Sequence, residues 1–321
     1  MSDLNKIEVV PVVMEKHPDA DSLSLVTVFD GYTVVVRSVD WEGISKAAYI
    51  PPDNVVDITR PEFSFLESGR IKAKRLRGVM SQGLLVPVPD NFQIGDDVTE
   101  YLGVTRYIPE ADREVSFGGD GEVAPPSPGI TYDIESWFKY KNVFKEGEDV
   151  VITEKIHGTN SRYTFQNDRM YCASRSMYRK DVGNVYWRVL HDNPWIEEFC
   201  RHFPNRHLYG EIFGWVHSLK YDAKQGQLYF RAFDVYDCGS FCDYDEFRQI
   251  LNNFTNDKSI VPVLYRGPYS HSVVESLISG KSTIASHIRE GIVIKPTTEQ
   301  FDRRIGRVIL KAVSPEYLAK K

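Results

Sequence analysis

Over the first hundred positions, apolar and polar residues alternate in short bursts: KIEVVPVVM, SLVTVFD, YTVVVRSV, AAYIP and QGLLVPVP. A period of two predicts β-strands. Turns rich in Asp, Pro and Gly separate the bursts (HPDADS, FDGY, PPDN), and little of the region carries a helical period. Short strands with such turns predict a small Greek-key barrel. Residues 115–130, VSFGGDGEVAPPSPGI, read as a linker, because Gly and then Pro crowd too closely for a helix or a central strand. Beyond it the pattern becomes mixed. Strands are predicted at 148–154, 162–166, 169–174, 206–213, 228–236, 291–295 and 305–312, and helices at 184–203, 243–254 and 272–280. This is an α+β pattern with an antiparallel sheet, not a doubly wound one. There is no internal repeat.

Composition adds bounds. A chain of 321 residues with 42% hydrophobic and 26% charged positions can bury a core in each of about two domains. No apolar run approaches a membrane span, and MSDLNKIEVV lacks the apolar core of a signal peptide. An intracellular protein, of cytoplasm or nucleoid, is expected. Cys172, Cys200, Cys238 and Cys242 form no metal-type pairs, and four scattered thiols suit a reducing compartment. A net charge of −6 excludes a protein that is basic all over. It leaves room for a local patch, and residues 70–77 hold five cations (Arg70, Lys72, Lys74, Arg75, Arg77) and no acid.

The stretch VVITEKIHGTN raises the chemistry. A run rich in Val and Ile ends by presenting Lys155 to a turn that contains His157 and Gly158. K-x-x-G alone is weak, and a second copy, Lys180 to Gly183, lies in a polar stretch with no strand before it. A nucleophilic lysine also has a proton to lose: at its ordinary pKa only about one in 2,500 is neutral at pH 7. Such a role needs cations for phosphate, carboxylates for a metal and a platform for a base. The chain offers them in order. CASRS ends a strand with Arg175; YGEIFG sets Glu211 in an apolar strand between glycines; FRAFDV is an aromatic strand with Phe233 opposite Phe230; REGIVIKP carries Glu290 and Lys295; RVILK ends in Lys311.

This series resembles the covalent nucleotidyltransferases, namely ATP-dependent RNA and DNA ligases and mRNA-capping guanylyltransferases. The strings EKIHGTN, CASRS, YGEIFG, FRAFDV, EGIVIKP and RVILKAVS are most similar to RNA ligases and cover residues 150–314. The resemblance implies a nucleotidyltransferase (adenylyltransferase) domain over 131–321. In that family the KxxG lysine attacks the α-phosphate of ATP, a lysyl-AMP forms, AMP passes to a 5′-phosphate of RNA, and the 3′-hydroxyl displaces it. Lys155 would be the nucleophile, with His157 beside it. Glu154, Gly158 and Arg175 would touch the nucleotide, Glu211 would hold the ribose or assist the lysine, and Phe233 would stack on adenine. Glu290, with Glu211, would serve Mg²⁺ or Mn²⁺, and Lys295 and Lys311 would hold phosphate. Many relatives carry a second lysine two residues after the last one; here that position is Val313, so either Lys311 suffices or another cation, Arg307 or Arg303, compensates.

HPDADSL together with RGVMSQGLL resembles the tRNA-binding type of OB fold, which places an OB-fold β-barrel over 1–114 and a linker over 115–130. Lys72, Lys74, Arg75 and Arg77 would then meet RNA. This domain order is similar to a fifth family of RNA ligases. DNA ligases and capping enzymes mostly place the OB module last, whereas only ten residues follow Lys311 here. The expected partners are RNA ends, in a nicked duplex or an RNA/DNA hybrid, met by a monomer away from membranes. The rival readings are a DNA ligase, a capping guanylyltransferase, or an RNA-binding protein that has lost turnover.

Overall fold

The computed structural model describes residues 6–29, 31–107 and 119–320. Two compact units emerge. One holds the described residues up to 107, together with Trp137–Tyr140 and the end of the chain from Leu318; the other holds 119–136 and Lys141–Tyr317.

In the first unit, strands Glu8–Pro11, Lys46–Ile50 and Leu84–Pro87 form one antiparallel sheet, and Met14–Lys16, Leu23–Val28 and Tyr32–Arg37 form another. The first sheet is buried on both faces. Val9, Ala48 and Val86 feed one apolar cluster, while Val10, Ala47, Tyr49 and Leu85 feed a second. A hairpin, Lys74–Leu76 with Val79–Ser81, carries the basic run. Its two-residue turn, Arg77-Gly78, has positive φ at both positions (45° and 86°), the geometry that suits the right-handed twist of paired strands. Lys72, Lys74, Arg75 and Arg77 are all exposed. Residues 137–140 reinforce this unit from far along the chain. Trp137 is fully buried, Phe138 packs on Tyr32 with ring centroids 5.6 Å apart, and Lys139 reaches Glu8 at 3.3 Å.

The second unit contains two sheets. A seven-stranded antiparallel sheet runs in the order Gly121–Glu122, Tyr178–Arg179, Arg169–Ser174, Thr159–Gln166, His207–Gly214, Leu228–Asp237, Ser240–Phe241. A five-stranded sheet runs Glu135–Ser136, Leu310–Val313, Gly291–Pro296, Asp149–Lys155, Val263–Pro268, antiparallel except at its first pair. Val293 of the second sheet packs with Tyr209 and Phe233 of the first, so these faces meet. Register then decides which side chains share that space. Lys155 pairs with Gly291 and Val151 with Lys295, while Val293 pairs with Lys311. Lys155, Lys295 and Lys311 therefore lie on one face of the five-stranded sheet.

Several expectations are refined. The single helix predicted over 184–203 is two, Val185–Asp192 and Pro194–His202. Pro194 has no N–H to donate and forces Asn193 out of the helical region, to φ −131° and ψ 74°. The strand predicted over 305–312 is likewise split, into Gly306–Arg307 and Leu310–Val313. Val263–Pro268 is an edge strand that alternation did not reveal, because its Gly and Pro mimic a turn. In the stretch read as linker, 115–118 lie outside the described residues, and the remainder lies on the seven-stranded sheet. Gly121–Glu122 pairs with Tyr178–Arg179, and the Ser127 carbonyl accepts from Gln166 Nε2 at 2.8 Å. The four cysteines are unbonded. No helix among the described residues is long and apolar enough to cross a membrane.

Candidate active site

Lys155 is the last residue of its strand, and its Nζ lies 2.8 Å from Glu290 Oε1. The chain must then turn sharply into the strand that begins at Thr159. Gly158 permits this, since a Cβ there would stand 2.1 Å from the Ile212 carbonyl oxygen. The turn also brings the Gly158 N–H to the Glu211 carboxyl. Glu211 pairs in register with Asn160, whose buried Oδ1 has no hydrogen-bond partner. Lys155 thus sits between two acids that come from different sheets.

The two acids differ. Burial alone would push the Glu290 carboxyl up; the Lys155 ammonium and then His157 outweigh it and hold the carboxyl down at about 2. Burial pushes Glu211 up, the charge on Glu290 adds to this, and Lys155 and the Gly158 N–H only partly offset it, leaving Glu211 at about 8. At neutral pH one acid is charged and the other mostly keeps its proton. Lys155 is pulled down by burial, yet Glu290 and Glu211 raise it further, so its net shift is upward. The lysine is stored as an ammonium.

Glu211 yields a test without substrate. Its folded pKa exceeds the ordinary value of 4.5, so its contribution to stability is complete below pH 4.5 and is lost as pH rises through about 8. Nucleotide-free protein should lose stability across that window, and Glu211→Gln should remove this part of the loss. Thermal melts from pH 5 to 9 check it; equal slopes for both proteins would refute it.

His157 is held from several sides. Its N–H donates to the Tyr221 hydroxyl at 2.6 Å, Nε2 lies 3.2 Å from Ser218 Oγ, and Nδ1 lies 3.2 Å from the Tyr317 hydroxyl. Nδ1 also stands 3.6 Å from Glu290 Oε2, too long for a hydrogen bond. That leaves Oε2 buried and without a hydrogen-bond donor. A hard divalent cation takes one or two carboxylates and completes its shell with water and phosphate. Glu290 and Glu211 fit that pattern, and no cluster of three or more metal-type side chains occurs among the described residues.

The aromatic strand contains a bulge. Tyr209 pairs with Asp234 and Gly210 with Ala232, which leaves Phe233 unpaired between them. The bulge turns Phe233 toward Tyr132, at a ring separation of 4.7 Å. Asp234, fully buried beside it, accepts from Lys295 Nζ at 2.6 Å, from Arg307 at 2.9 Å and from the Tyr132 hydroxyl. Lys295 also donates to the Phe233 carbonyl at 3.3 Å.

Three of the expected site residues have protein partners in this geometry. Lys295, read as a phosphate ligand, donates to Asp234. Arg307, read with Arg303 as a cation that could compensate for Val313, pairs with Asp234 and Glu299, while Arg303 is exposed. Glu154, read as a nucleotide ligand, points to the other face of its strand, where it accepts from Ser282 Oγ (2.6 Å) and from Thr283 N and Oγ1 (2.8 and 2.7 Å). Arg175 is ion-paired to Asp133. Lys311 shares the face of Lys155, with Val313 across from Gly291. Asn160, Asp234, Tyr221 and Tyr317 escaped the sequence reading. Only Asp234 carried a usable signal, as an acid inside an apolar strand like Glu211.

Comparisons with known proteins point to one family and one fold. A family model described as RNA ligase matches residues 148–313, and an OB-fold domain model matches residues 4–88. No curated protein matches the sequence. The apo form of a point mutant of Naegleria gruberi RNA ligase superposes with a TM-score of 0.79 at 25% identity, covering 99% of this chain and 98% of that one. The same ligase solved with PPi gives 0.78 at 25% identity, with the same coverage. A mutant of it solved with ATP and Mn gives 0.76 at 23% identity, covering 99% of both chains.

Proposed function

The chain belongs to the RNA ligase family, and from that premise we propose that it joins a 3′-hydroxyl to a 5′-phosphate of RNA at the expense of ATP. The observation that carries the proposal is one lysine held at a strand end between a charged acid and a mostly protonated one, Glu290 and Glu211. That is a stored nucleophile. It needs only the loss of a proton, and neutralising Glu290 lowers the cost of losing it.

Lys155 Nζ, once neutral, attacks the α-phosphorus of ATP. The new bond is N–P, the broken bond runs to the bridging oxygen, and pyrophosphate leaves. The AMP then passes to the 5′-phosphate of RNA, and the 3′-hydroxyl displaces it. Mg²⁺ or Mn²⁺, held by Glu290 and Glu211, would neutralise phosphate charge. Lys311 serves the phosphates, Phe233 the base, and Arg175 the nucleotide after release from Asp133. Glu154 anchors the 282–283 loop behind the Lys155 strand, and Gly158 supplies the close turn. His157 orients Glu290. In the first unit, Lys72, Lys74, Arg75 and Arg77 form the RNA contact. The expected substrate is a break in duplex RNA or in an RNA/DNA hybrid, sealed by a monomer inside the cell.

The test uses protein stripped of any bound AMP, a divalent metal, and nucleotide labelled at the α-phosphate. Label should be retained from ATP and not from GTP or NAD⁺. Retention from GTP would favour a capping activity. No label with either metal would overturn the ligase reading and leave an RNA-binding protein. A requirement for ribose at the 3′-hydroxyl end would separate RNA sealing from DNA sealing.

A further inference from the structure

The chain leaves the Glu211 strand at Gly214 and returns at Leu228 through a loop that is tied down along its length. Trp215 N–H donates to the Gln227 carbonyl at 2.9 Å. Ser286 donates to Asp222 through N and Oγ, at 2.9 and 2.7 Å. Tyr221 and Ser218 hold His157, as described above, and the His217 ring lies 5.3 Å from the His157 ring. The loop is therefore built onto the nucleophile's own turn.

This anchored frame presents Trp215 to solvent. The residue is 42% exposed, and among the described residues no other tryptophan is exposed. Lys220 Nζ sits 4.4 Å from the indole centroid. Two lysines, Lys220 and Lys224, lie in the loop, and its one acid, Asp222, is satisfied by Ser286. An exposed aromatic plane with a cation against it, beside a phosphoryl-transfer centre, is the chemistry that holds a nucleic-acid strand: bases stack on the ring and the cation meets phosphate.

We propose that Trp215 and Lys220 form a stacking platform for a base of the RNA strand near the end being joined. The inference rests on the ligase reading and deepens it by naming where the polynucleotide, rather than ATP, is held. The platform positions RNA and takes no part in AMP transfer to Lys155.

The experiment compares wild type, Trp215→Phe, Trp215→Ala and Lys220→Ala. Fluorescence anisotropy reads binding of a labelled nicked RNA duplex, and adenylylation by ATP is read in parallel. Trp215→Ala should weaken RNA binding roughly tenfold or more, the loss of one stacked base. Trp215→Phe, which keeps an aromatic plane, should stay close to wild type, and Lys220→Ala should fall between them. Adenylylation should be unchanged in all three. Wild-type RNA affinity in Trp215→Ala overturns the proposal. So does a parallel loss of adenylylation, which would make the loop a support for His157, or a Trp215→Phe as impaired as Trp215→Ala. RNA binding and AMP transfer are measured separately, so failure of the platform and failure of the ligase reading give different results.

Discussion

Lys155→Ala should abolish label transfer from ATP to the protein, by at least about a thousandfold. The reason lies in what the neighbouring cations are doing. Lys295 is buried against Asp234, and Lys311 pairs with Val293, two residues along the strand from the Gly291 row that holds Lys155. Neither amine occupies the position between Glu290 and Glu211. Lys155→Arg should fail as fully, because a guanidinium stays protonated in proteins and offers no lone pair. The alanine variant should still seal RNA that already carries a 5′-adenylate, since that substrate enters after the lysine has done its work. Intact-protein mass spectrometry for the AMP adduct, together with a sealing assay on adenylylated RNA, checks both halves. An adduct on Lys155→Ala would move the nucleophile elsewhere.

The largest stability effect should come from Asp234→Ala. Its carboxylate is fully buried and receives Lys295, Arg307 and Tyr132. Burial pushes this carboxyl up, but Arg307 and Lys295 outweigh it and hold it below the usual range. Removing the carboxylate strands two buried cations, and breaking a buried pair from one side costs about 3–5 kcal/mol. The Asp234 contribution is present above the unfolded pKa and is lost as pH falls through the lower folded one. Urea unfolding at pH 7 should therefore show a large drop in midpoint for Asp234→Ala, and a smaller gap between variant and wild type in strong acid. A drop under about 1 kcal/mol would mean that the cations reach water.

Local features of the second unit were legible in the sequence, and long-range pairings were not. The strand before Lys155 announces itself by its β-branched run, and Gly158 by the turn it must make. The acid at Glu211 is conspicuous because its neighbours are apolar. The partner of Lys295 was hidden for the converse reason. A lysine at a strand end looks free for phosphate, and only the fold brings Asp234, 61 positions earlier, within 2.6 Å of it. Glu154 met its partners from 128 and 129 positions away. The bulge at Phe233 depends on the register of the neighbouring strand, which alternation within one strand does not encode. Nothing in the sequence marked the loop between Gly214 and Leu228, because its ties to His157 and Ser286 are tertiary.

The placement of Trp137–Tyr140 bears on how the polypeptide can be cut. These four residues pack in the first unit, yet the chain on either side of them belongs to the second. A gene fragment ending near residue 130 would lack the buried Trp137 and the Lys139–Glu8 pair, so the barrel half made alone should melt early or precipitate. A catalytic fragment beginning at 131 would carry Trp137 and Phe138 into water as a sticky tail. A protease nick between the halves should leave them together on a sizing column until denaturant is added. Anyone dividing this protein for separate assays would do better to mutate than to truncate.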